Sequence, residues 1–314
     1  MTFTKSNTAK TIFISLILIL ALTFTACGGS SDMEEGKAEK EVLKIGTKPM
    51  TESRILGEML GLLADQAGYG YEITKDVAGG TTNIMPAMEK GDLDLYPEYT
   101  GTGWMTVLKH EELPSDSDEL FKKLNEEYES QYSMNWVGLY GFNNTYAFAV
   151  SDDFAKEHDL KTMSDLAKVA GQAVFGGNGD YMERPDGFDA VVKEYGMEFK
   201  DTMDIDIGLK YEALESGDID VTNAFTTDAQ LSKAPVTVLK DDKGFFGEYF
   251  ASTVVRTDAL EKFPELEAAL TKMNNLITDK EMSTMNYEVE VDGQDEKTVA
   301  TNYLTDKGII KASE

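Results

Sequence analysis

The sequence predicts an α/β chain built as two similar lobes, and three observations carry that reading. Strand-like and helix-like segments alternate from Val42 to the end of the sequence. The stretch Ala87-Met88-Glu89-Lys90-Gly91-Asp92-Leu93-Asp94-Leu95 returns 126 positions later as Ala213-Leu214-Glu215-Ser216-Gly217-Asp218-Ile219-Asp220-Val221. Two aromatic-led apolar strands, Tyr146-Ala147-Phe148-Ala149-Val150 and Tyr249-Phe250-Ala251-Ser252-Thr253-Val254-Val255, each lead into a helix, starting near Asp152 and Asp258.

Val42-Leu43-Lys44-Ile45-Gly46 reads as the opening strand, followed by a loop at Thr47-Lys48-Pro49. From Glu52 to Gln66, Ile55, Leu56, Met59, Leu60 and Leu63 recur at helical spacing. Gly79-Gly80-Thr81-Thr82 lacks the lysine of a phosphate-binding loop and reads as a helix-start turn. Each copy of the internal echo is a helix end, a glycine cap, a short buried strand and an aromatic beyond it. Its register sets Tyr99-Thr100 against Phe225-Thr226. Asp92-Asp94 and Asp218-Asp220 alternate with Leu and Ile, which fits strand patterning better than a carboxylate site. The acidic run Glu111 to Glu119 reads as a solvated face, and Tyr71, Tyr96, Tyr140, Tyr181 and Tyr211 as packing or surface residues. The opening strand and the Lys48 loop pair with Ala173-Val174-Phe175-Gly176-Gly177 and the loop reaching Arg184. Ligands of open α/β sheets bind beyond the carboxyl ends of the strands. Two such ends facing one another make a cleft.

The composition excludes several classes of function. With 314 residues the chain has room for about two domains. Its 29 Lys+Arg stand against 57 Asp+Glu, a net charge of −28, and such a surface repels nucleic acid. One cysteine rules out an intramolecular disulfide and a multi-cysteine zinc site. The two histidines, His110 and His158, lie in polar stretches and are poor metal candidates. No Ser-His-Asp order or nucleophile elbow is present, and no cofactor or metal is expected.

The first 26 residues combine a basic start carrying Lys5 and Lys10, an apolar run from Ile12 to Leu22, and small Ala26. That is the pattern of a secretory signal, too short for a comfortable membrane span. Cys27 follows directly, and Phe24-Thr25-Ala26-Cys27 resembles a bacterial lipobox with Phe where Leu is usual. Residues 1–26 are therefore expected to be a lipoprotein signal peptide, Cys27 the lipidation site, and residues 27–41 a solvated tether.

The paired loops offer four rings, Tyr99, Tyr146, Phe225 and Tyr249, with Lys48 and Arg184 as cations. Ring faces attract a quaternary ammonium by about 0.5–2 kcal/mol each, and that cation needs no hydrogen-bond acceptor. The two cations would meet a carboxylate, arginine as a fork. A ligand with both ends is a betaine.

Six segments in order resemble one family. They are Gly46-Thr47-Lys48-Pro49, Glu98-Tyr99-Thr100-Gly101-Thr102, Gly141-Phe142-Asn143-Asn144-Thr145-Tyr146-Ala147, Arg184-Pro185-Asp186-Gly187, Ala224-Phe225-Thr226-Thr227-Asp228 and Asp241-Asp242-Lys243-Gly244. The family is the glycine betaine/choline/carnitine substrate-binding proteins of osmoprotectant ABC importers, and the resemblance runs from about residue 42 onward. It implies a two-lobed periplasmic-binding-protein fold of type II-like form. The chain would cross between lobes near residues 145 and 250, with lobe 1 spanning 42–144 plus 251–314 and lobe 2 spanning 145–250. It places the ammonium cage on Tyr99, Tyr146, Phe225 and Tyr249, closed by a backbone carbonyl near Asn144, and the carboxylate contacts on Lys48, Thr102 and Arg184. Phe225 stands where the family pattern has Tyr, which keeps a ring face and removes a hydroxyl.

The function implied is capture of glycine betaine or a related quaternary amine at the outer face of the cytoplasmic membrane, for delivery to an ABC permease. Closed lobes around the ligand would be the form the permease recognises. Choline lacks the carboxylate that two cations call for, whereas carnitine carries one on a longer, hydroxylated chain. An alternative of another class is a surface lipoprotein enzyme acting on choline compounds. The anchoring expectation has a direct check. Cys27→Ala should be released or left unprocessed in a cell fractionation while still binding ligand, and a processed variant that stays on the membrane counts against lipidation.

Overall fold

A computed structural model of the chain describes residues 42–114, 116–177, 179–183, 187–206 and 208–311. Its strands are β1 (Val42–Gly46), β2 (Gly70–Thr74), β3 (Leu95–Tyr99), β4 (Met134–Asn143), β5 (Tyr146–Ser151), β6 (Val174–Gly177), β7 (Asp201–Asp204), β8 (Val221–Phe225), β9 (Val236–Leu239) and β10 (Phe250–Arg256). They form two five-stranded sheets, ordered β2-β1-β3-β10-β4 and β7-β6-β8-β5-β9. In each, three parallel strands are followed by an antiparallel fourth, β10 or β5, and an outer strand antiparallel to that one.

The internal echo is repeated in the backbone. The helices Thr81–Lys90 and Lys210–Ser216 end at Gly91 and Gly217, each left-handed with φ 79°. A side chain at such a position would be strained, so both copies carry glycine. Asp94 and Asp220 depart from the strand-patterning expectation, because the strands begin one residue later at Leu95 and Val221. The Asp94 carboxylate accepts the Lys44 N–H at 2.9 Å while its own N–H donates to Lys44 O at 2.8 Å. Asp220 does the same with Val174, at 2.8 and 2.9 Å. Each aspartate thus locks the start of one strand to its parallel neighbour.

The helix Thr51–Gln66 buries Ile55, Leu56, Met59, Leu60 and Leu63 fully against the first sheet and its neighbours. Phe148, Phe175, Leu166 and Val191 form the centre of the core around the second sheet. The chain passes from β4 to β5 through Asn144 and Thr145, and from β9 back to β10 through residues 240–249. The helix Asp279–Glu290 bridges to the turn after β8. There the Ser283 hydroxyl donates to Asp228 O at 2.7 Å and Asn286 Nδ2 to Thr227 O at 3.0 Å. Among the described residues no helix is long and apolar enough to cross a membrane.

The two aspartate clamps differ in exposure, Asp220 acting on a half-buried amide and Asp94 on an exposed one. A charged hydrogen bond is worth about 1.5–3 kcal/mol, less where water competes. Asp220→Ala should therefore destabilise the fold by about 1–2 kcal/mol in urea unfolding, and more than Asp94→Ala. Equal losses at the two sites would mean that burial does not set the strength of the clamp.

Candidate ligand-binding site

The carboxyl ends of β3 and β8, the two echoed strands, bring the sequence-predicted residues to the crossings. Tyr146 opens β5 directly opposite Phe225 at the end of β8, and their rings stack with centroids 4.4 Å apart at 30°. Tyr146 also meets Tyr181 at 5.3 Å and Phe246 at 5.9 Å, so the pair rests on a floor of buried rings. Tyr249 precedes β10, and its ring lies where a side chain at position 101 would stand, so Gly101 is required for that approach. The Tyr249 hydroxyl reaches Met105 Sδ at 3.8 Å. Thr102 ends the short helical turn Thr100–Thr102 and is half-buried.

Backbone and side-chain hydrogen bonds hold these rings to the first crossing. The N–H of Tyr249 donates to Asn143 Oδ1 at 2.7 Å, and the N–H of Asn144 returns a bond to Tyr249 O at 3.1 Å. Thr226 donates its N–H to Thr145 O at 3.0 Å, and its hydroxyl donates to Asn143 O. The turn bearing Phe225 is further held by Asp228, which accepts from Phe225 N at 3.2 Å, Tyr211 Oη at 2.7 Å and Lys210 Nζ at 2.7 Å.

Tyr99 is the most constrained of the four. It is buried, its hydroxyl donates to Glu52 Oε1, and the Lys48 ammonium sits 4.9 Å from its ring centroid. Lys48 Nζ is ion-paired with Glu98, which is fully buried and also accepts from the Thr81 hydroxyl at 2.6 Å and the Tyr99 N–H at 2.7 Å. The cation assigned to a ligand carboxylate thus already has an internal counter-ion. Arg184, the second predicted cation, lies outside the described residues, as does Cys27.

Glu52 joins the parts. Its Oε1 accepts from Tyr99 and, at 2.9 Å, from Asn144 Nδ2, while Asn286 Nδ2 approaches Oε2 at 3.3 Å and Thr227 adds a side-chain hydrogen bond. Burial pushes this carboxyl above its ordinary value, and the four donors only partly oppose that push. The Tyr99 hydroxyl is driven well upward in turn, by burial first and by the Glu52 charge next. Sequence reasoning missed both Glu52 and Glu98. The readable signal for Glu98 was a charge inside Leu95-Tyr96-Pro97-Glu98-Tyr99, where every position is buried.

Residues 41–306 match the family described as the substrate binding domain of ABC-type glycine betaine transport systems. The chain belongs to this family. It is 38% identical over 298 residues to an ergothioneine transport permease/ergothioneine binding protein of Helicobacter pylori, covering 95% of this chain and 52% of that protein. The chain therefore spans about half the length of that relative. It is 34% identical to a carnitine transport binding protein of Listeria monocytogenes, covering 94% of this chain and 96% of the other. Among solved structures, a glycine betaine/carnitine/choline ABC transporter protein superposes with a TM-score of 0.81 at 31% identity, covering 85% of this chain and 99% of its own. The family likeness and the two sheets agree on the two-lobed periplasmic-binding-protein fold expected from the sequence. The family relatives are binding proteins of transporters, and nothing among them supports the choline-compound enzyme.

The raised pKa of Glu52 has a stability consequence with a definite sign. A carboxyl whose folded pKa lies above its unfolded one stabilises the fold at low pH and loses that contribution as pH rises through the folded value. Glu52→Gln keeps the shape and removes the charge. Thermal unfolding from about pH 4 upward should show wild type losing stability relative to the variant as Glu52 ionises. Parallel curves would show that the four donors already offset burial.

Proposed function

We propose that this chain captures a trimethylammonium carboxylate of the glycine betaine class and delivers it to an ABC permease. The observation that carries the reading is the stacking of Tyr146 on Phe225 at the first crossing, next to Asn144, whose backbone holds Tyr249 and whose side chain shares Glu52 with Tyr99. Aromatic faces with a buried carboxylate behind one of them favour a cation that needs no acceptor. Lys48 beside Tyr99, Thr102 on the adjoining turn, and Arg184 are the groups assigned to the carboxylate end. Lys48 can serve there while still paired, since an ammonium has three donors and Glu98 occupies one. In a chain of net charge −28 the long-range field opposes an anion, so the carboxylate end depends on these local donors. Glycine betaine, carnitine and ergothioneine all carry a trimethylammonium and a carboxylate. Choline carries only the first.

The leader supports an extracytoplasmic protein held by a lipid on Cys27, and the same arrangement suits a receptor that hands its cargo to a membrane permease. Ligand capture between the lobes needs no bond made or broken in the ligand, which accords with relatives that are binding proteins.

Calorimetry, with the emission of Trp104 as a second reporter two residues beyond Thr102, tests the reading. Tyr249→Ala should weaken every trimethylammonium ligand by about 1–2 kcal/mol. Arg184→Ala should weaken the carboxylate-bearing ligands by about 1.5–3 kcal/mol and leave choline nearly unchanged. A folded Tyr249→Ala with unaltered affinity would remove it from the cage. Equal losses for choline and glycine betaine in Arg184→Ala would reduce that residue to a structural one.

A further inference from the structure

Tyr249 is held to the first crossing by backbone bonds, and a second hold reaches it from the other side. Its hydroxyl meets Met105 of the π-helical turn Gly103–Val107. Leu113 fills the space that a side chain at position 247 would need, and the edge of the Tyr249 ring borders the same space. One stretch of chain therefore touches the ring and its neighbour together. That stretch is folded back on Trp104, whose buried indole donates from Nε1 to Glu112 O at 2.6 Å. The His110 N–H donates to Trp104 O at 3.3 Å, and its imidazole lies on the indole face, ring centroids 3.8 Å apart at 23°. His110 Nε2 stands 3.0 and 3.1 Å from the two carboxylate oxygens of Glu127 on the helix Ser117–Tyr132. Gln131 Nε2 steadies that carboxylate at 3.1 Å. Lys109, just before, has a left-handed backbone with φ 64°, which a lysine keeps only where its surroundings impose it.

Resting on the function proposed above, we infer that His110 is a positioning residue for Tyr249, and that its charge sets how tightly ligand is captured. It acts through Trp104, Met105 and Leu113 rather than on the ligand. A neutral ring keeps the stack and can still donate from Nε2 to Glu127. Protonation makes that bond charge-assisted and sets a cation on the indole face. The stretch is then gripped harder, so capture tightens as pH falls through the histidine range. The charged groups next to this latch are Glu127 on the helix, Lys109, Glu111 and Glu112 on its own stretch, and Glu248 on the crossing beside Gly247. Lys123, one turn before Glu127, is paired with Glu119. The other histidine, His158, packs on Phe154 after β5.

The test compares the full chain with His110→Gln, which can hydrogen-bond but not take a charge, and with Glu127→Gln, which keeps an acceptor for the ring. Between about pH 8 and pH 5, the emission of unliganded wild type should fall, because a stacked imidazolium quenches indole. His110→Gln should stay flat, with Trp136, buried against Tyr128, as a constant background. At about pH 5.5, amide hydrogens of residues 245–252 should exchange about two- to fivefold faster in His110→Gln, the range open to a half-exposed pair. Glycine betaine affinity of wild type, by calorimetry, should rise by about the same factor over that pH range, and Glu127→Gln should lose most of the rise. A slope that persists unchanged in His110→Gln would belong to another group such as Glu52 and would overturn the assignment. Unchanged exchange at residues 245–252 would overturn it as well. If both ligand-free results hold and no trimethylammonium carboxylate binds folded wild type, the positioning of Tyr249 stands and the betaine reading falls.

Discussion

The arrangement depends on one withdrawn carboxylate. Glu52 belongs to the first helix, yet its hydrogen-bond donors come from β3, the first crossing, the turn after β8 and the bridging helix near the C-terminal end. Removing an ionised carboxylate from water is strongly unfavourable unless several donors converge on it. Those donors must therefore arrive together, and their convergence fixes the distance between the two sheets at this point. Tyr99 and Asn144 owe their orientation to the same oxygen. A single buried group thereby sets the pose of one ring and ties the first crossing to the bridging helix.

A second buried charge acts within the first sheet. Lys48 and Glu98 face each other beneath Tyr99, and Glu98 further collects the Thr81 hydroxyl and the Tyr99 N–H. Such a pair is weak as a source of net stability, but it is expensive to break, at about 3–5 kcal/mol when one partner is removed. Its value here is directional. The loop after β1, the start of the helix Thr81–Lys90 and the end of β3 are held to one another by a charge that water hardly screens.

Much of the fold was legible in the sequence because its signals are local. The helical spacing of Ile55, Leu56, Met59, Leu60 and Leu63, the glycine at each echoed helix end, and the aromatic-led strands need only neighbouring residues to be understood. The echo aligned Tyr99 with Phe225 and Tyr146 with Tyr249, whereas the antiparallel pairing of Tyr146 with Phe225 needs the folded sheet to be seen. Nor were the acidic side chains legible. Asp94 and Asp220 alternate with apolar residues and so mimic strand positions, although they act on a neighbouring strand's backbone. Glu52 sits in a first helical turn, where an acid is ordinary and invites no further question. Its donors lie as far as 234 residues away along the chain, and only the folded backbone brings them together.

The strand order carries a consequence for the way the chain must assemble. The second sheet is drawn wholly from β5 to β9, one unbroken stretch. The first sheet has a gap between β3 and β4 until β10 arrives, more than a hundred residues after β4. Once the whole chain is available, the later-made half can therefore complete itself from its own strands without waiting for the earlier one. β3 and β4 meanwhile present unpaired edges, the kind of surface on which other strands add. Insertion of β10 closes both edges in a single step and also carries Tyr249 into place beside Gly101. The event that finishes the fold and the event that finishes the site are thus one and the same.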